Sequence, residues 1–429
     1  MIKRLALMDS ISANLINYLK LIASELSLPQ KKFLKDSFIG LIRSGKPIVC
    51  QIARQLPNQK ASFPSRLDRL DAQLTNNNNN FTDKINRQLP NIWLPLIRDD
   101  TPIILDLSDI AKPLAKKMEY LAVVRDGSDG KLINGYWLVE MYASVNHKNP
   151  LPILLEPFSH NHPENAGQNP VVLNAVHKIF EMTNKRGILT ADRGFDSRIM
   201  FDDWLDNGIR FVVRLKRNRY LTVLYEGIEK TMIYADDLAD RTKTPIIFHK
   251  VVRRRGMTVM RVCQIGWVKV GLPNRKDKLT MIVSRLSGYD KPMMVLTNVA
   301  VNNAADARRI FALYVRRWEC EEGMRFLKSQ INLEKIRAFS WTAICRLVLL
   351  CQVVMSYLSW VLEAYPQLGE RLVSLSQPLP EKVRFLPYRL FGGLTEAINY
   401  CCWLHKDLLR VKVMEKPRSL RFFFENLLS

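Results

Sequence analysis

Between Thr101 and Lys216 the sequence alternates between short apolar segments of strand character and segments with helical periodicity. Three strands followed by a helix, a strand, a helix and a strand are typical of a mixed α/β sheet with helices packed on its faces. The predicted strands cover residues 102–108, 120–126, 136–145, 187–192 and 209–216, and the predicted helices cover about 170–183 and 197–207. Residues 151–157 either extend this sheet or lead out of it. The sequence therefore predicts a mixed α/β core.

Both ends of the chain have helical periodicity, and a strand-rich segment interrupts the core. Residues 38–56 predict two helices joined by a glycine turn, which is either a DNA-reading helix-turn-helix or a packing hairpin. The predicted regions are a helical, DNA-binding region (1–98), the first part of the core (99–219), a β-rich insertion (220–300), the completion of the core by a helix (301–340) and a C-terminal helical region (341–429).

The balance of charges constrains the partner. The chain has 64 Lys and Arg against 41 Asp and Glu, a formal net charge of +23. Such an excess predicts a polyanionic partner, either a nucleic acid or an anionic membrane surface. The seven cysteines have no paired CxxC spacing, which argues against a disulfide framework or a structural zinc site and favours a reducing cytoplasm.

The most apolar stretch, residues 347–362, is shorter than the roughly 20 residues that cross a bilayer, and it contains Gln352. It predicts a buried core helix. The first 20 residues lack the uninterrupted apolar stretch of a secretory signal. We therefore expect no membrane association.

Two aspartates stand where predicted apolar strands end. Asp106 follows Ile103, Ile104 and Leu105, and Asp192 ends the segment 187–192 just before an Arg-Gly turn. An ionised carboxylate in such a place is costly unless it is paired or binds a cation. Together the two aspartates predict a site for a hard cation such as Mg²⁺, although either one alone is more typical of turn structure.

A third group of charged residues lies in the predicted helix 304–330. Tyr314, Arg317, Glu321 and Lys328 stand at offsets of zero, three, seven and fourteen. In one continuous helix they share a stripe about 60° wide, whereas the alternative acids Glu319 and Glu322 fall outside it. A phenol, two cations and a carboxylate on one stripe are unlike an ordinary core face.

With this spacing, Tyr-x2-Arg-x3-Glu-x6-Lys, the chain resembles the DDE transposases of bacterial insertion sequences. Asp106 followed two residues later by Ser108 matches the family's first acid, and Asp192-Arg193-Gly194-Phe195 matches the context of its second. The intervals of 86 residues between the two aspartates and 129 residues from Asp192 to Glu321 also suit the family. Asp109 remains an alternative for the first acid.

The resemblance implies a ribonuclease-H-like core with a β-rich insertion. It implies that Asp106, Asp192 and Glu321 are the catalytic acids and hold two Mg²⁺ ions, with Mn²⁺ as a substitute and Asp106 bridging the ions. Tyr314, Arg317 and Lys328 are then expected to grip the DNA backbone. The implied partners are double-stranded DNA, as terminal inverted repeats and target, and a second protomer in a synaptic homodimer.

A basic run beside the core adds a candidate phosphate-binding surface. Arg210, Arg214, Lys216, Arg217 and Arg219 occur without an intervening acid. Alternation along the predicted strand sends Arg210, Arg214 and Lys216 to one face, which suits a track for phosphates as well as a solvated edge.

The sequence thus predicts a cytoplasmic, nucleoid-associated DNA transposase that cleaves and joins the terminal inverted repeats of its insertion sequence. Two alternatives are an inactive or domesticated descendant that binds DNA without cutting it, and another nuclease with a ribonuclease-H-like core. The repeat sequence, the target preference, the choice between hairpin and replicative routes and the dimer interface are not encoded in any recognisable motif.

Overall fold

The computed structural model describes residues 2–56, 61–127, 130–146, 149–165, 167–225, 228–254, 257–380 and 385–410. The end of the predicted C-terminal helical region, residues 411–429, lies outside them. The helices are α1 (Ile2–Ile22), α2 (Leu28–Ser44), α3 (Val49–Arg54), α4 (Phe63–Thr75), α5 (Phe81–Gln88), α6 (Pro90–Trp93), α7 (Gln168–Met182), α8 (Arg198–Asp206), α9 (Ala235–Arg241), α10 (Ala304–Val315), α11 (Trp318–Ser329), α12 (Trp341–Ala364), α13 (Pro366–Leu375) and α14 (Leu386–Arg410).

The strands follow α6 and precede α10 along the chain. They are β1 (Pro102–Ala111), β2 (Ala122–Arg125), β3 (Leu132–Asn146), β4 (Asn149–Phe158), β5 (Ile188–Ala191), β6 (Phe211–Arg214), β7 (Tyr220–Tyr225), β8 (Ile228–Tyr234), β9 (Ile246–Arg254), β10 (Met257–Val270), β11 (Leu279–Leu286) and β12 (Met293–Thr297). Short 3-10 helices occur at Leu94–Leu96, Arg193–Phe195 and Leu333–Lys335.

The chain forms two compact units whose boundaries fall inside elements. Unit 1 contains Met1–Leu96, Leu107–Gly167 and Glu321–Ser429, and unit 2 contains Ile97–Asp106 and Gln168–Cys320. Strand β1 therefore passes from unit 2 into unit 1 after Asp106, and helix α11 does so after Cys320.

Unit 2 is built on a mixed sheet. The first half of β1 pairs in parallel with β5, and β5 pairs in parallel with β6. From β6 the sheet continues through antiparallel pairs to β12, β11, β10 and β9, so that the strands of the insertion extend the core sheet. Helix α10 covers one face of this sheet, and Ile310 and Phe311 join Val212, Ile282 and Val295 in the buried core.

Unit 1 combines a β-meander with a helical bundle. Strand β1 is next to β3 in the sheet order, and β3 pairs antiparallel with both β2 and β4. Residues 151–157 therefore do extend the sheet, as part of β4. The strand order β4-β3-β1-β5-β6, with antiparallel pairing of β4 with β3 and parallel pairing of β1 with β5 and of β5 with β6, confirms the ribonuclease-H-like mixed α/β fold.

The most apolar segment is α12, at the centre of unit 1. Among the described residues it is the one helix long and apolar enough to cross a membrane, with a mean hydropathy of 1.8, but 94% of that window is buried. The Tyr18 hydroxyl donates to Val353 O at 2.8 Å, and the Ser356 hydroxyl donates to Pro152 O at 3.1 Å. As predicted, it is a core helix.

Helix α9 lies within the predicted β-rich insertion, and two acids in its first turn complement the helix dipole. The helical pair predicted over residues 38–56 is present as the end of α2 and the six-residue helix α3, with Gly45 in the left-handed conformation between them. One local prediction needs correction. The predicted helix 304–330 is two helices, α10 and α11, separated at Arg316 and Arg317.

Candidate active site

The two aspartates lie at the ends of neighbouring parallel strands in unit 2. The paired residues of β1 and β5 end with Leu105 opposite Ala191, and Asp106 and Asp192 are the next residues along each strand. Asp192 keeps an extended backbone, with φ −81° and ψ −178°. Because neighbouring strands are about 4.8 Å apart, the two carboxylates start from adjacent backbone positions on one level of the sheet.

A tight turn fixes the Asp192 carboxylate. Its Oδ1 accepts a hydrogen bond of 2.6 Å from the Gly194 amide and so caps the 3-10 helix Arg193–Phe195. A Cβ at Gly194 would lie only 2.8 Å from the same Oδ1. Any other residue at position 194 would therefore force the Asp192 carboxylate to shift.

The Asp106 carboxylate has a cation and a thiol beside it. Arg317 Nη1 donates to Asp106 Oδ2 at 3.2 Å, and the Cys320 Sγ lies 3.4 Å from the same oxygen. The Arg317 side chain is only 9% exposed, against 25% for Asp106, and its guanidinium lies 5.5 Å from the centre of the Trp318 ring. A buried guanidinium thus stabilises the negative charge of Asp106.

Tyr314 approaches the same group from α10. Its side chain is 2% exposed, and this burial raises the pKa of the Tyr314 hydroxyl. The charges of Arg317 and Arg214 and a hydrogen bond with Arg317 oppose the rise, whereas the charge of Asp192 adds to it. Unit 2 therefore brings Tyr314, Arg317, Arg214, Asp106 and Asp192 together.

The break between α10 and α11 corrects the argument from a single helical stripe. The Arg317 amide bonds to Tyr314 O at 3.0 Å and the Glu319 amide to Arg316 O at 2.9 Å, which are bonds to the third residue back. Such bonds tighten the chain, so a rotation of about 100° per residue does not hold across the junction. Tyr314 stands on α10, Arg317 in the junction, and Glu321 on α11.

Lys328 and Glu321 both lie in the part of α11 that belongs to unit 1. Lys328 Nζ contacts Asp109 Oδ1 at 3.2 Å and Glu334 Oε1 at 2.9 Å. Burial by itself lowers the pKa of Lys328, but the hydrogen bonds and charges of Glu334 and Asp109 outweigh it and raise the pKa. This pairing could not be predicted from the sequence, because neither acid belongs to the signature.

Asp109, the alternative first acid, has a different environment from Asp106. Its side chain is 2% exposed, and its Oδ1 accepts hydrogen bonds from Lys328 and from the Gly127 amide at 3.1 Å. Asp106 and Asp109 also fall in different units. These contacts favour a structural role for Asp109.

The strand argument for the basic run needs correction. Strand β6 covers only Phe211–Arg214, so Arg210 precedes it and Lys216 follows it, and alternation does not assign these two to one face. Two of these cations form long ion pairs: Arg210 Nη2 lies 3.7 Å from Asp99 Oδ1, and Arg217 Nε lies 3.9 Å from Asp236 Oδ1.

Arg219 belongs to the interior of this region. Asp196 is 1% exposed, and its carboxylate accepts hydrogen bonds of 2.6 Å from Arg219 Nε and from the Lys216 amide. Sequence reasoning missed Asp196, because an acid two residues after a glycine turn carries no distinctive pattern. Arg219 therefore fixes the chain after β6, whereas Lys216 and Arg217 are exposed.

The donor chemistry of the aspartate pair suits a divalent cation. Carboxylate oxygens are the ligands that Mg²⁺ and Mn²⁺ prefer. Among the residues that the structure describes, no three His, Cys, Asp or Glu side chains are grouped to hold a metal ion. The pair in unit 2 consists of two carboxylates, which is the donor type that such an ion prefers.

Comparison with known proteins decides the family. The family model described as "Transposase DDE domain" matches residues 104–358, which is more than half of the chain. The chain belongs to the DDE transposase family. The matched segment starts two residues before Asp106 and includes Asp192 and Glu321. The transposase is therefore an enzyme of phosphodiester chemistry that acts on DNA, and its family uses divalent metal ions.

The transposase is similar to a cryo-EM structure of a piggyBac transposase synaptic complex with hairpin DNA. The two chains are 11% identical, with a TM-score of 0.43, over 99% of this chain and 84% of that chain. No curated protein matches the transposase.

Proposed function

We propose that the transposase is encoded by a bacterial insertion sequence and cleaves and joins DNA at the terminal inverted repeats of that element. Its catalytic acids are Asp106, Asp192 and Glu321. The observation that carries the proposal is the pair of aspartates at the same level of parallel strands β1 and β5, with Arg317 against Asp106. The third acid is assigned from the spacing Tyr-x2-Arg-x3-Glu-x6-Lys within the matched family segment.

The three carboxylates would hold two Mg²⁺ ions, or Mn²⁺ in their place. When bound, such ions activate a water or a DNA 3′-hydroxyl and stabilise the leaving oxygen. Asp106 would contribute an oxygen to both ions. The hydrogen bond from Arg317 to its Oδ2 would help to fix the direction of the carboxylate.

The other residues of the signature contact the DNA backbone in this proposal. Arg317 offers a planar guanidinium that suits paired contacts with phosphate oxygens, and Lys328 acts as a point charge. The hydroxyl of Tyr314 remains protonated at neutral pH, since burial raises its pKa, and it can donate a hydrogen bond to a phosphate. Arg210, Arg214, Lys216 and Arg217 would extend the contact along the duplex.

Two further features follow from the proposed reaction. Joining two element ends in concert requires both ends in one complex, which favours a synaptic homodimer. The net charge of +23 suits a protein that works on chromosomal DNA in the bacterial cytoplasm and is associated with the nucleoid while bound.

The test is cleavage of a labelled DNA fragment that carries the inverted repeats bracketing the gene. With Mg²⁺ or Mn²⁺, the wild-type protein is expected to nick the repeat ends and join them to a target. Glu321→Gln removes one negative ligand while keeping its shape, so it is expected to bind the fragment but to lose cleavage by at least about 10³-fold.

Matched controls exist on the same helix. Glu319→Gln and Glu322→Gln change the two neighbouring acids that lie away from the signature spacing, and both variants are expected to cut at rates close to wild type. Cleavage by Glu321→Gln at the wild-type rate would refute the assignment. Loss of cleavage in Glu319→Gln with retention in Glu321→Gln would move the third acid to residue 319.

A further inference from the structure

Two loops of unit 1 lie side by side and form what we call the double loop, residues 112–119 and 333–341. Lys112 Nζ donates to Ile336 O at 2.8 Å and also to Glu334 O. The Glu119 amide donates to Phe339 O at 2.8 Å, and Glu119 Oε2 accepts from the Trp341 amide at 2.6 Å. Bonds at both ends of the contact hold the two loops in one arrangement.

Aromatic packing supports the double loop from the interior of unit 1. The Tyr136 ring lies 5.4 Å from the Trp341 ring, and the Tyr136 hydroxyl donates to Glu119 O at 2.7 Å. Asn134 Nδ2 donates to Ala115 O at 3.0 Å. The loops therefore form a surface that is ordered before any partner binds, which lowers the entropy lost on binding.

The outer side of the double loop is positively charged. Lys116, Lys117, Lys335 and Arg337 are all exposed, and with Lys112 they give the two loops five cations against the two acids Glu119 and Glu334. Glu334 is already paired with Lys328. Within the described part of the chain, none of the four exposed cations forms an ion pair.

Two apolar side chains project among these cations. Leu114 is 92% exposed and Phe339 is 76% exposed, the largest exposed fractions among the large apolar residues of the described chain. The backbone beside Phe339 is fixed by its bond to Glu119, so the ring has a fixed point of attachment. An exposed aromatic ring on a fixed backbone, among unpaired cations, is suited to contact both the phosphates and the sugars or bases of DNA.

We propose that the double loop is a DNA-binding surface of the transposase, in which Lys116, Lys117, Lys335 and Arg337 contact phosphates and Phe339 packs against the sugar or base edge. The inference rests on the proposed action on element ends, and it names a surface outside the signature residues. The ion pair of Lys328 with Glu334 fixes the start of the second loop, so a signature residue also orients this surface.

The experiment measures the dissociation constant of a fluorescent terminal-repeat duplex at several salt concentrations, with Ca²⁺ present to prevent cutting. Each lost phosphate contact lowers the slope of log K against log salt by about 0.9. The double variants Lys116→Gln/Lys117→Gln and Lys335→Gln/Arg337→Gln are therefore each expected to lower the slope by about 2 and to weaken binding by roughly 30-fold at 0.15 M salt.

The matched control is Lys276→Gln/Lys278→Gln, a pair of exposed lysines between β10 and β11 to which no DNA contact is assigned, and it is expected to keep the wild-type slope. Phe339→Ser is expected to weaken binding about tenfold without changing the slope, because it removes an uncharged contact. All the substituted side chains are exposed, so the variants are expected to unfold at the wild-type urea concentration.

The outcomes separate this inference from the proposed function. Wild-type slopes in both double variants, or an equal loss in the Lys276→Gln/Lys278→Gln control, would overturn the double-loop surface while leaving a wild-type protein that cuts. Absence of terminal-repeat cleavage by the wild-type protein would overturn the proposed function instead. Binding of the double loop to phosphatidylserine vesicles, lost in the same variants while their DNA binding is unchanged, would identify a membrane surface and refute the DNA assignment.

Discussion

Replacing Gly194 by alanine tests whether the turn after β5 positions a catalytic carboxylate. The added Cβ would stand 2.8 Å from Asp192 Oδ1, whereas ordinary contacts begin at about 3.4 Å, so the carboxylate must move by about 0.6 Å. A misplacement of about 1 Å in a reacting group costs about 10²-fold in rate. We therefore expect Gly194→Ala to cleave terminal-repeat DNA about 10- to 100-fold more slowly, and to lose about 1 kcal/mol of stability as the cap weakens.

The matched control is Gly127→Ala. The Gly127 amide also donates to an aspartate Oδ1, that of Asp109, at 3.1 Å, but a Cβ there would lie at the ordinary distance of 3.4 Å. This variant is expected to cleave at nearly the wild-type rate. Single-turnover cleavage with Mn²⁺ and a binding isotherm in Ca²⁺ separate a slower reaction from weaker binding. Equal rates for Gly194→Ala and wild type would refute the role of the turn.

Three predictions concern stability and are measured by urea unfolding. Burial lowers the pKa of Lys112 to about 8, so between pH 8 and 10.5 the unfolded chain binds more protons than the folded chain. The free energy of unfolding should therefore rise across that window by up to about 3 kcal/mol. The variant Lys112→Met should remove this rise. Arg346 is 2% exposed and donates to three backbone carbonyls at and after the end of α4, so Arg346→Met should cost about 3 kcal/mol, and an unchanged midpoint would contradict this. A Cβ at Gly393 would lie 1.8 Å from Leu372 O, whereas a Cβ at Gly392 would meet only ordinary contacts. Gly393→Ala should therefore lower the free energy of unfolding by more than about 2 kcal/mol, and Gly392→Ala should leave it unchanged. Similar urea midpoints for the two variants would count against the close helix contact.

The sequence predicted the strands that carry the aspartates because their apolar runs are buried on both faces. Ile103, Ile104 and Leu105 are fully buried, as are Leu189 and Ala191, so each run of apolar letters corresponds to a central strand. The reaction was predicted from the family signature, because catalysis requires particular residue types at particular positions.

The parts that the sequence did not predict depend on tertiary contacts. The break at Arg316 and Arg317 has no glycine or proline, and it coincides with a buried guanidinium that bonds to Asp106, far away in the sequence. The true length of β6 is likewise set by Asp196, which binds the Lys216 amide and takes the chain away from the sheet. The local amino-acid sequence does not specify such long-range contacts.

The short ladder between β1 and β5 has a consequence for how this enzyme tolerates changes of length. Its four registered pairs, from Pro102 with Ile188 to Leu105 with Ala191, set the level of both aspartates. Deleting one residue within Ile188–Ala191 would slide Asp192 by about 3.3 Å and turn it to the opposite face of the sheet. The turns in the segment that connects β1 to β5 do not set this register. Insertions are therefore expected to be tolerated in those turns but not within the paired residues of the two strands.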